Sequence, residues 1–139
     1  MTTTRLAALG VAALVAAPAL VQAAELTPLD IVHRHMQFGN AGNYDAMAND
    51  YAPDGVILTA GKATQGRAAI RASFKAMVGP GSKPPNIKPV KVWSEGDVGF
   101  VSWRMNPGTP QAVNGQDSFL VHHGKIVTQA VFIGEAALK

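Results

Sequence analysis

The sequence of 139 residues has no cysteine, few aromatic residues and no cluster of basic residues. Without cysteine the chain cannot form disulfides, thiolate nucleophiles or cysteine-based zinc and iron–sulfur sites. Aromatic residues make up 6% of the chain, and its twelve Lys and Arg residues are scattered, with a net charge of +3. Because nucleic-acid binding usually needs a basic stripe or a stacking platform, we expect no nucleic-acid partner.

The sequence also lacks the common motifs of cofactor sites. His33 and His35 are two residues apart on a predicted helix and therefore point in different directions, and no carboxylate spacing completes a metal site. There is no glycine-rich phosphate loop after a strand and no serine nucleophile elbow. We therefore expect neither a metal nor another cofactor.

Residues 1–23 have the three parts of a signal peptide. Arg5 is followed by an apolar run over residues 6–15, and small residues precede a cleavage site after Ala23. The run is short and Pro18 lies just beyond its end, which argues against a stable membrane span. The sequence therefore predicts cleavage after Ala23, a periplasmic or secreted protein without a stable membrane anchor, and one domain over residues 24–139.

Apolar spacing predicts three helices in the first part of this domain. Thr27 and Pro28 suit the N-cap and first turn of the first helix, which ends at a turn over residues 39–42. The next predicted elements are a helix over 44–51, a tight turn at 53–55, short strands at 56–59 and within 61–65, and a helix over 67–77.

The period of the apolar residues changes to two after the breaker-rich segment 79–85. It predicts antiparallel strands over residues 87–94, 98–105, 112–121 and 126–133, with Gly108 and Gly115 as turn or bulge residues. Helices first and antiparallel strands later indicate an α+β fold, with three N-terminal helices on a strongly curved, mostly antiparallel sheet. Such an arrangement leaves a cavity between the helices and the sheet, where small molecules commonly bind.

Four segments in this order carry a family resemblance: residues 40–45 (NAGNYD), 51–56 (YAPDGV), 66–71 (GRAAIR) and 117–127 (DSFLVHHGKIV). With them the chain resembles the nuclear transport factor 2-like superfamily, which includes ketosteroid isomerases and SnoaL-like polyketide cyclases. The resemblance implies a cone-shaped fold, related to the cystatin-like barrel, and a homodimer. It does not imply one activity, because this fold hosts many chemistries as well as non-enzymes.

The ketosteroid isomerase pattern implies polar residues at two pocket positions. His35 stands where that pattern has its oxyanion-binding tyrosine, and Asp117 stands where it has a protonated aspartate as second donor. Thr59 stands in the place of the general base and cannot do that work at neutral pH. The resemblance therefore argues against steroid isomerisation.

The residues themselves also point to His35 and Asp117. His35 lies in the apolar arc of its helix, four residues after Ile31, and Asp117 shares the strand parity of Phe119. The imidazole can be a functional group or a structural one bonded to a backbone carbonyl. The carboxyl group can be neutral, ionised and paired with His35, or turned outward by a bulge. We expect a polar pair in an apolar pocket that binds a carbonyl or hydroxyl group of a small ligand. In the case of catalysis, we expect His35 to shuttle the proton and Asp117 to orient it.

Five further residues are expected to line or close the pocket and contact the ligand: Tyr51, Thr59, Phe74, Trp103 and Phe119. Three functions stay open. The first is an exported protein that binds a small hydrophobic molecule with a carbonyl or hydroxyl group. The second is a cofactor-independent isomerase, cyclase or lyase such as a dehydratase, and the third is a non-catalytic dimerising or adaptor module that uses outward apolar residues at Trp93, Val101 and Leu120.

Overall fold

The computed structural model describes residues 24–134, so the predicted signal peptide lies outside the described residues. The elements follow in the order α1 (Pro28–Ala41), α2 (Tyr44–Asn49), β1 (Tyr51–Thr59), β2 (Lys62–Gln65), α3 (Arg67–Val78), β3 (Ile87–Glu95), β4 (Val98–Met105), β5 (Val113–His122) and β6 (Lys125–Gly134). None of the helices in this part of the chain has the length and apolar character needed to cross a membrane.

Helix α1 begins with the predicted cap. The Thr27 hydroxyl accepts a hydrogen bond from the Asp30 backbone N–H (3.2 Å), and the Asp30 carboxylate accepts one from the Thr27 backbone N–H (3.0 Å). This capping box satisfies amides that have no partner inside the helix. At the other end Gly42 has a φ of 67°, and a Cβ there would lie 2.7 Å from the Pro84 ring. Glycine thus ends the helix and lets the loop before β3 close over it.

Helix α2 is shorter than predicted. The apolar spacing predicts a helix over residues 44–51, but α2 ends at Asn49, and Tyr51 is the first residue of β1. A tertiary contact explains the difference, because the Ile126 backbone N–H donates to the Asp50 carbonyl oxygen (2.9 Å). This hydrogen bond begins the pairing of β1 with β6 and overrides the local helical preference.

The turn predicted at residues 53–55 is instead a bulge within β1. The register against β6 passes from the pair Tyr51 and Ile126 directly to the pair Val56 and Thr128. The residues between these pairs have no counterpart on β6, as in an enlarged β-bulge. The strand therefore continues through a segment whose Pro-Asp-Gly sequence is typical of a turn.

The six strands form one open, mixed sheet in the order β2-β1-β6-β5-β4-β3. Strands β1 and β6 are parallel, and the other neighbours are antiparallel. Helix α1 packs on β3, β4 and β5, whereas α3 packs on β1 and β2, so that the helices cover one face. The predicted α+β fold class is confirmed, and the sheet does not close into a barrel.

The helix-covered face of the sheet, called the inner face here, carries the apolar core. Phe119 and Val121 lie on this face of β5 and are buried, as their parity predicts. Val101 was expected to face outward, but it pairs with Asp117 and is fully buried. That prediction is wrong because side chains opposite each other on neighbouring strands share a face. On the outer face Trp93 stacks on Phe100, with ring centroids 5.0 Å apart.

Candidate functional site

A cavity of about 620 Å³ lies between the helices and the inner face of the sheet. Three of its polar side chains, His35, Asp117 and Gln129, are buried and mark its interior end. Other polar lining residues belong to the loops over residues 79–86 and 106–112, whose mostly exposed side chains mark its mouth. The apolar lining includes every methionine of the sequence except Met1, that is, Met36, Met47, Met77 and Met105. The volume falls in the range of small-molecule sites.

Asp117 projects from β5 to the cavity and is held by two neutral donors. The Trp103 Nε1–H donates to one carboxylate oxygen (3.0 Å) and the Gln129 amide Nε2–H donates to the other (2.9 Å). The Tyr51 hydroxyl in turn donates to Gln129 Oε1. Burial raises the pKa of Asp117 to about 6, against the lowering effect of both hydrogen bonds. At neutral pH the group is therefore mostly an ionised carboxylate.

Gly115 makes room for the side chain that orients this carboxylate. It is the register partner of Trp103, and a Cβ at Gly115 would overlap the indole ring and lie 2.7 Å from the Phe132 carbonyl oxygen. Glycine therefore allows the indole to lie across β5 with its N–H directed at Asp117. The expectation that Gly115 is a turn or bulge residue is wrong, whereas Gly108 lies in a turn with a φ of 80°.

His35 lies on the buried side of α1, as its helical position predicts, and is 3% exposed. The rings of Tyr51, Phe74 and Phe119 surround it edge-on, with centroid distances of 6.0, 5.8 and 5.1 Å. Burial lowers the pKa of His35 to about 4, so the imidazole is neutral at neutral pH. Its Nδ1 atom is buried without a hydrogen-bond partner. The alternative of a structural histidine bonded to a backbone carbonyl is therefore not observed among the described residues.

His35 and Asp117 line the same cavity but do not form the predicted polar pair. The two carboxylate oxygens accept hydrogen bonds from Trp103 and Gln129, and the His35 side chain forms no hydrogen bond or ion pair within residues 24–134. The prediction of a direct pair is wrong because it took no account of these two neighbouring donors. The site therefore holds a neutral imidazole and a separate carboxylate.

The sequence profile of the SnoaL-like domain family matches residues 32–129, which include all three buried polar residues of the cavity. The chain belongs to the SnoaL-like family. A search of curated proteins finds no significant sequence relative.

Solved structures show that this SnoaL-like chain has the nuclear transport factor 2-like fold. An NTF2-like protein from Burkholderia xenovorans is 17% identical, with a TM-score of 0.67 over 79% of this chain and 84% of its own. SalBIII, an epoxide hydrolase/cyclase-like enzyme with a role in pyran ring formation in the polyether salinomycin, is 25% identical. Its TM-score is 0.63 over 76% of this chain and 88% of its own. A candidate polyketide cyclase from Sinorhizobium meliloti is also 25% identical (TM-score 0.62, 73% and 93% coverage).

Two of the five predicted ligand-binding residues line the cavity of this SnoaL-like chain, and three do not. Phe74 and Trp103 line it. Tyr51 and Phe119 are fully buried and lie behind its wall, where Tyr51 bonds to Gln129 and Phe119 packs on His35. Thr59 is half-buried at the end of β1 and does not line the cavity.

Gln129 is the main site residue that sequence reasoning missed. Counting by twos from Ile126 would place Gln129 on the outer face of β6. A register shift between β5 and β6 reverses that parity, because Leu120 pairs with Thr128 whereas Val121 pairs with Ile126. Counting back from the cavity residue Val131 would have placed Gln129 correctly.

Tyr44 was also missed, although it opens α2 and contributes to the cavity wall. Its ring packs on that of Phe74, with ring centroids 6.4 Å apart, and its hydroxyl oxygen is buried without a hydrogen-bond partner.

No group of three or more His, Asp or Glu side chains within residues 24–134 is arranged to hold a metal ion. The polar side chains of the cavity can form hydrogen bonds and transfer protons.

Proposed function

We propose that the protein binds a small, largely apolar molecule with a carbonyl or hydroxyl group in this cavity. The observation that carries the proposal is the cavity of about 620 Å³, which ends at the buried His35 and Asp117. Small-molecule sites are mostly apolar concavities with a few polar groups that fix orientation. A module that needed only an apolar core would gain stability from filling this space.

The two polar groups suit different parts of such a ligand. Neutral His35 lines the cavity and has one ring N–H to donate and one nitrogen to accept, and its side chain has no hydrogen-bond partner in the described chain. Because Nδ1 itself is buried, the contact with a ligand falls to the other ring nitrogen, Nε2. A ligand carbonyl or hydroxyl oxygen would supply a hydrogen bond that the protein itself does not. The Asp117 carboxylate accepts hydrogen bonds only, so it suits a ligand hydroxyl or an acidic C–H group.

A second candidate function is proton transfer next to a carbonyl, as in an isomerase, cyclase or dehydratase. Its support is the Asp117 carboxylate, since burial raises its pKa to about 6, near the working pH of a general base. With a pKa lowered to about 4, His35 is a poor proton acceptor. In this function Asp117 takes the proton, and His35 donates its N–H to the substrate carbonyl oxygen, which exchanges the roles expected from the sequence.

Export and dimerisation complete the proposal. The signal-peptide pattern supports cleavage after Ala23 and a periplasmic or secreted domain over residues 24–139. The outer face of the sheet exposes Leu58, Trp93 and Phe132, with exposed fractions of 45%, 39% and 70%, which supports a homodimer formed through this face. Native mass spectrometry of protein from the periplasm tests cleavage, dimerisation and ligand binding together, since it reports the processed mass, the oligomer and any retained ligand.

Binding can be measured through Trp103 alone. The sequence has two tryptophans, and Trp93→Phe removes the one on the outer face. We expect 2-decalol or 2-decalone to change the Trp103 fluorescence in a saturable manner. Val131→Phe should abolish the change by filling the cavity, whereas Ala130→Phe on the exposed outer face should not. Absence of a saturable change with both compounds would contradict the proposed function.

The catalytic candidate needs a different measurement. If Asp117 takes a proton next to a carbonyl, the protein should accelerate the exchange of hydrogen for deuterium beside the carbonyl of 2-decalone in D₂O, followed by NMR. Asp117→Asn should remove the acceleration, because an amide cannot act as the base. Saturable binding without any accelerated exchange would leave ligand binding as the function and count against the enzyme.

A further inference from the structure

We propose that Tyr51 acts through Gln129 to hold Asp117 as an ionised hydrogen-bond acceptor, so that the cavity prefers ligands with a hydroxyl or N–H donor over ligands with only a carbonyl. The inference rests on the proposed function and narrows its ligand class. It assigns Tyr51 as a positioning residue, since its hydroxyl acts on Asp117 through the Gln129 amide.

The direction of the hydrogen bonds carries this argument. In the observed arrangement the Tyr51 hydroxyl donates to Gln129 Oε1, Gln129 Nε2–H donates to Asp117, and Trp103 Nε1–H donates to the other carboxylate oxygen. Every step directs a hydrogen toward Asp117. The carboxylate therefore has only acceptor capacity left for a molecule in the cavity.

A protonated Asp117 could keep both donors only by directing its O–H into the cavity, and it would need the reverse arrangement to donate within the protein. Its O–H could donate to Gln129 only after the amide turned over, and the amide N–H would then donate to the Tyr51 hydroxyl oxygen. The Tyr51 hydroxyl hydrogen would lose its acceptor, because its only hydrogen bond within residues 24–134 is to Gln129. A buried donor without an acceptor is costly, and Tyr51 is fully buried. Tyr51 thus favours the ionised form of Asp117 over the neutral one.

Other groups around Asp117 do not replace this control. His35 on α1 faces the same cavity but makes no hydrogen bond or ion pair with the carboxylate, and its pKa is lowered by burial. Lys83 lines the cavity from the 79–86 loop and is exposed. The neighbours on β4 and β6, Trp103 and Gln129, are neutral donors. The balance between the two forms of Asp117 therefore depends on burial and on the direction of the hydrogen bonds.

The consequence for a ligand is a choice between two molecules of the same shape. A hydroxyl group can donate to the carboxylate, whereas a carbonyl oxygen placed there would face another acceptor. The alcohol 2-decalol and the ketone 2-decalone share one carbon skeleton and differ only in this group. A hydrogen bond to a charged group distinguishes such a pair by about tenfold or more in affinity.

The experiment compares both compounds on the full protein carrying Trp93→Phe, with and without Tyr51→Phe. We expect 2-decalol to bind about tenfold more tightly at neutral pH. With Tyr51→Phe, the preference should fall toward one and the Asp117 carboxyl titration, followed by ¹³C NMR, should move to higher pH. Gln129→Leu should have the same two effects, whereas Gln116→Leu, on the exposed outer face of β5, should have neither.

The outcomes separate this inference from the proposed function. Equal affinities in the parent protein, or an unchanged preference and titration after Tyr51→Phe, would overturn the inference while ligand binding itself stands. If neither compound binds, the proposed function fails, and the carboxyl titration of Tyr51→Phe then decides the relay by itself. A purely structural role of Tyr51 would lower the melting temperature without moving that titration.

Discussion

Asp117 and His35 should contribute to the pH dependence of folding stability with opposite signs. Replacing either residue should therefore expose the pH-dependent contribution of the other. Burial raises the pKa of Asp117 from its ordinary value of 3.8 to about 6. Between these values the folded state holds more protons than the unfolded state, so the free energy of unfolding falls as pH rises. At about 1.4 kcal/mol for each pKa unit, the loss is about 3 kcal/mol and is complete at neutral pH.

His35 contributes over almost the same pH range in the other direction. Burial lowers its pKa from the ordinary 6.5 to about 4, so the unfolded state binds more protons over this interval. The free energy of unfolding therefore falls as pH drops through it, again by about 3 kcal/mol. In the unaltered protein the two contributions largely offset each other.

Urea unfolding followed by circular dichroism, at a series of pH values from 7 down to 4, tests this prediction. Relative to the parent protein, His35→Phe should become more stable on acidification by about 3 kcal/mol, and Asp117→Asn should become less stable by a similar amount. Asp50, whose pKa burial also raises, is present in all three proteins and cancels in the differences. Flat difference curves, or two curves of the same sign, would refute the reasoning.

Two further substitutions test the surroundings of the site. Asp50→Asn should cost about 2 kcal/mol in urea unfolding, because the partly exposed Arg34 loses the buried carboxylate that it contacts at 2.5 Å. Asp45→Asn, which breaks an exposed ion pair, should cost less than about 1 kcal/mol, and equal costs would contradict this assignment. Gly115→Ala should destabilise by about 1–3 kcal/mol, because the methyl group displaces the Trp103 ring, and an unchanged stability and Trp103 emission would show that the ring does not depend on the glycine.

Much of the fold could be predicted because its signals are local. The capping box at Thr27 and the apolar spacing of the helices depend only on neighbours in the chain. The same is true of the alternation along β5, which placed Asp117 and Phe119 on the inner face. The helix position of His35 was sufficient to predict its burial for the same reason.

The remaining features depend on contacts between segments that are distant in the sequence. The bulge after Tyr51 and the register shift after Ile126 arise where β5, β6 and β1 meet, and the pairing between these strands decides where they fall. These irregularities decide which side chains face the cavity, including Gln129. The hydrogen bonds of Asp117 depend in turn on Trp103 and Gln129, so a pairing with His35 inferred from two positions alone could not include them.

The interior end of the cavity holds polar groups that lower the stability of the folded protein, and this bears on its function. An ionised carboxylate and a neutral imidazole with an unsatisfied nitrogen are both buried, yet they do not pair with each other. Together they cost the folded protein several kcal/mol at neutral pH, a cost of the kind that apolar replacements of similar volume would avoid. A dimerising module has no use for such groups beneath an open cavity. The proposed ligand binding or proton transfer would account for them, since both need polar groups with hydrogen-bonding capacity for another molecule.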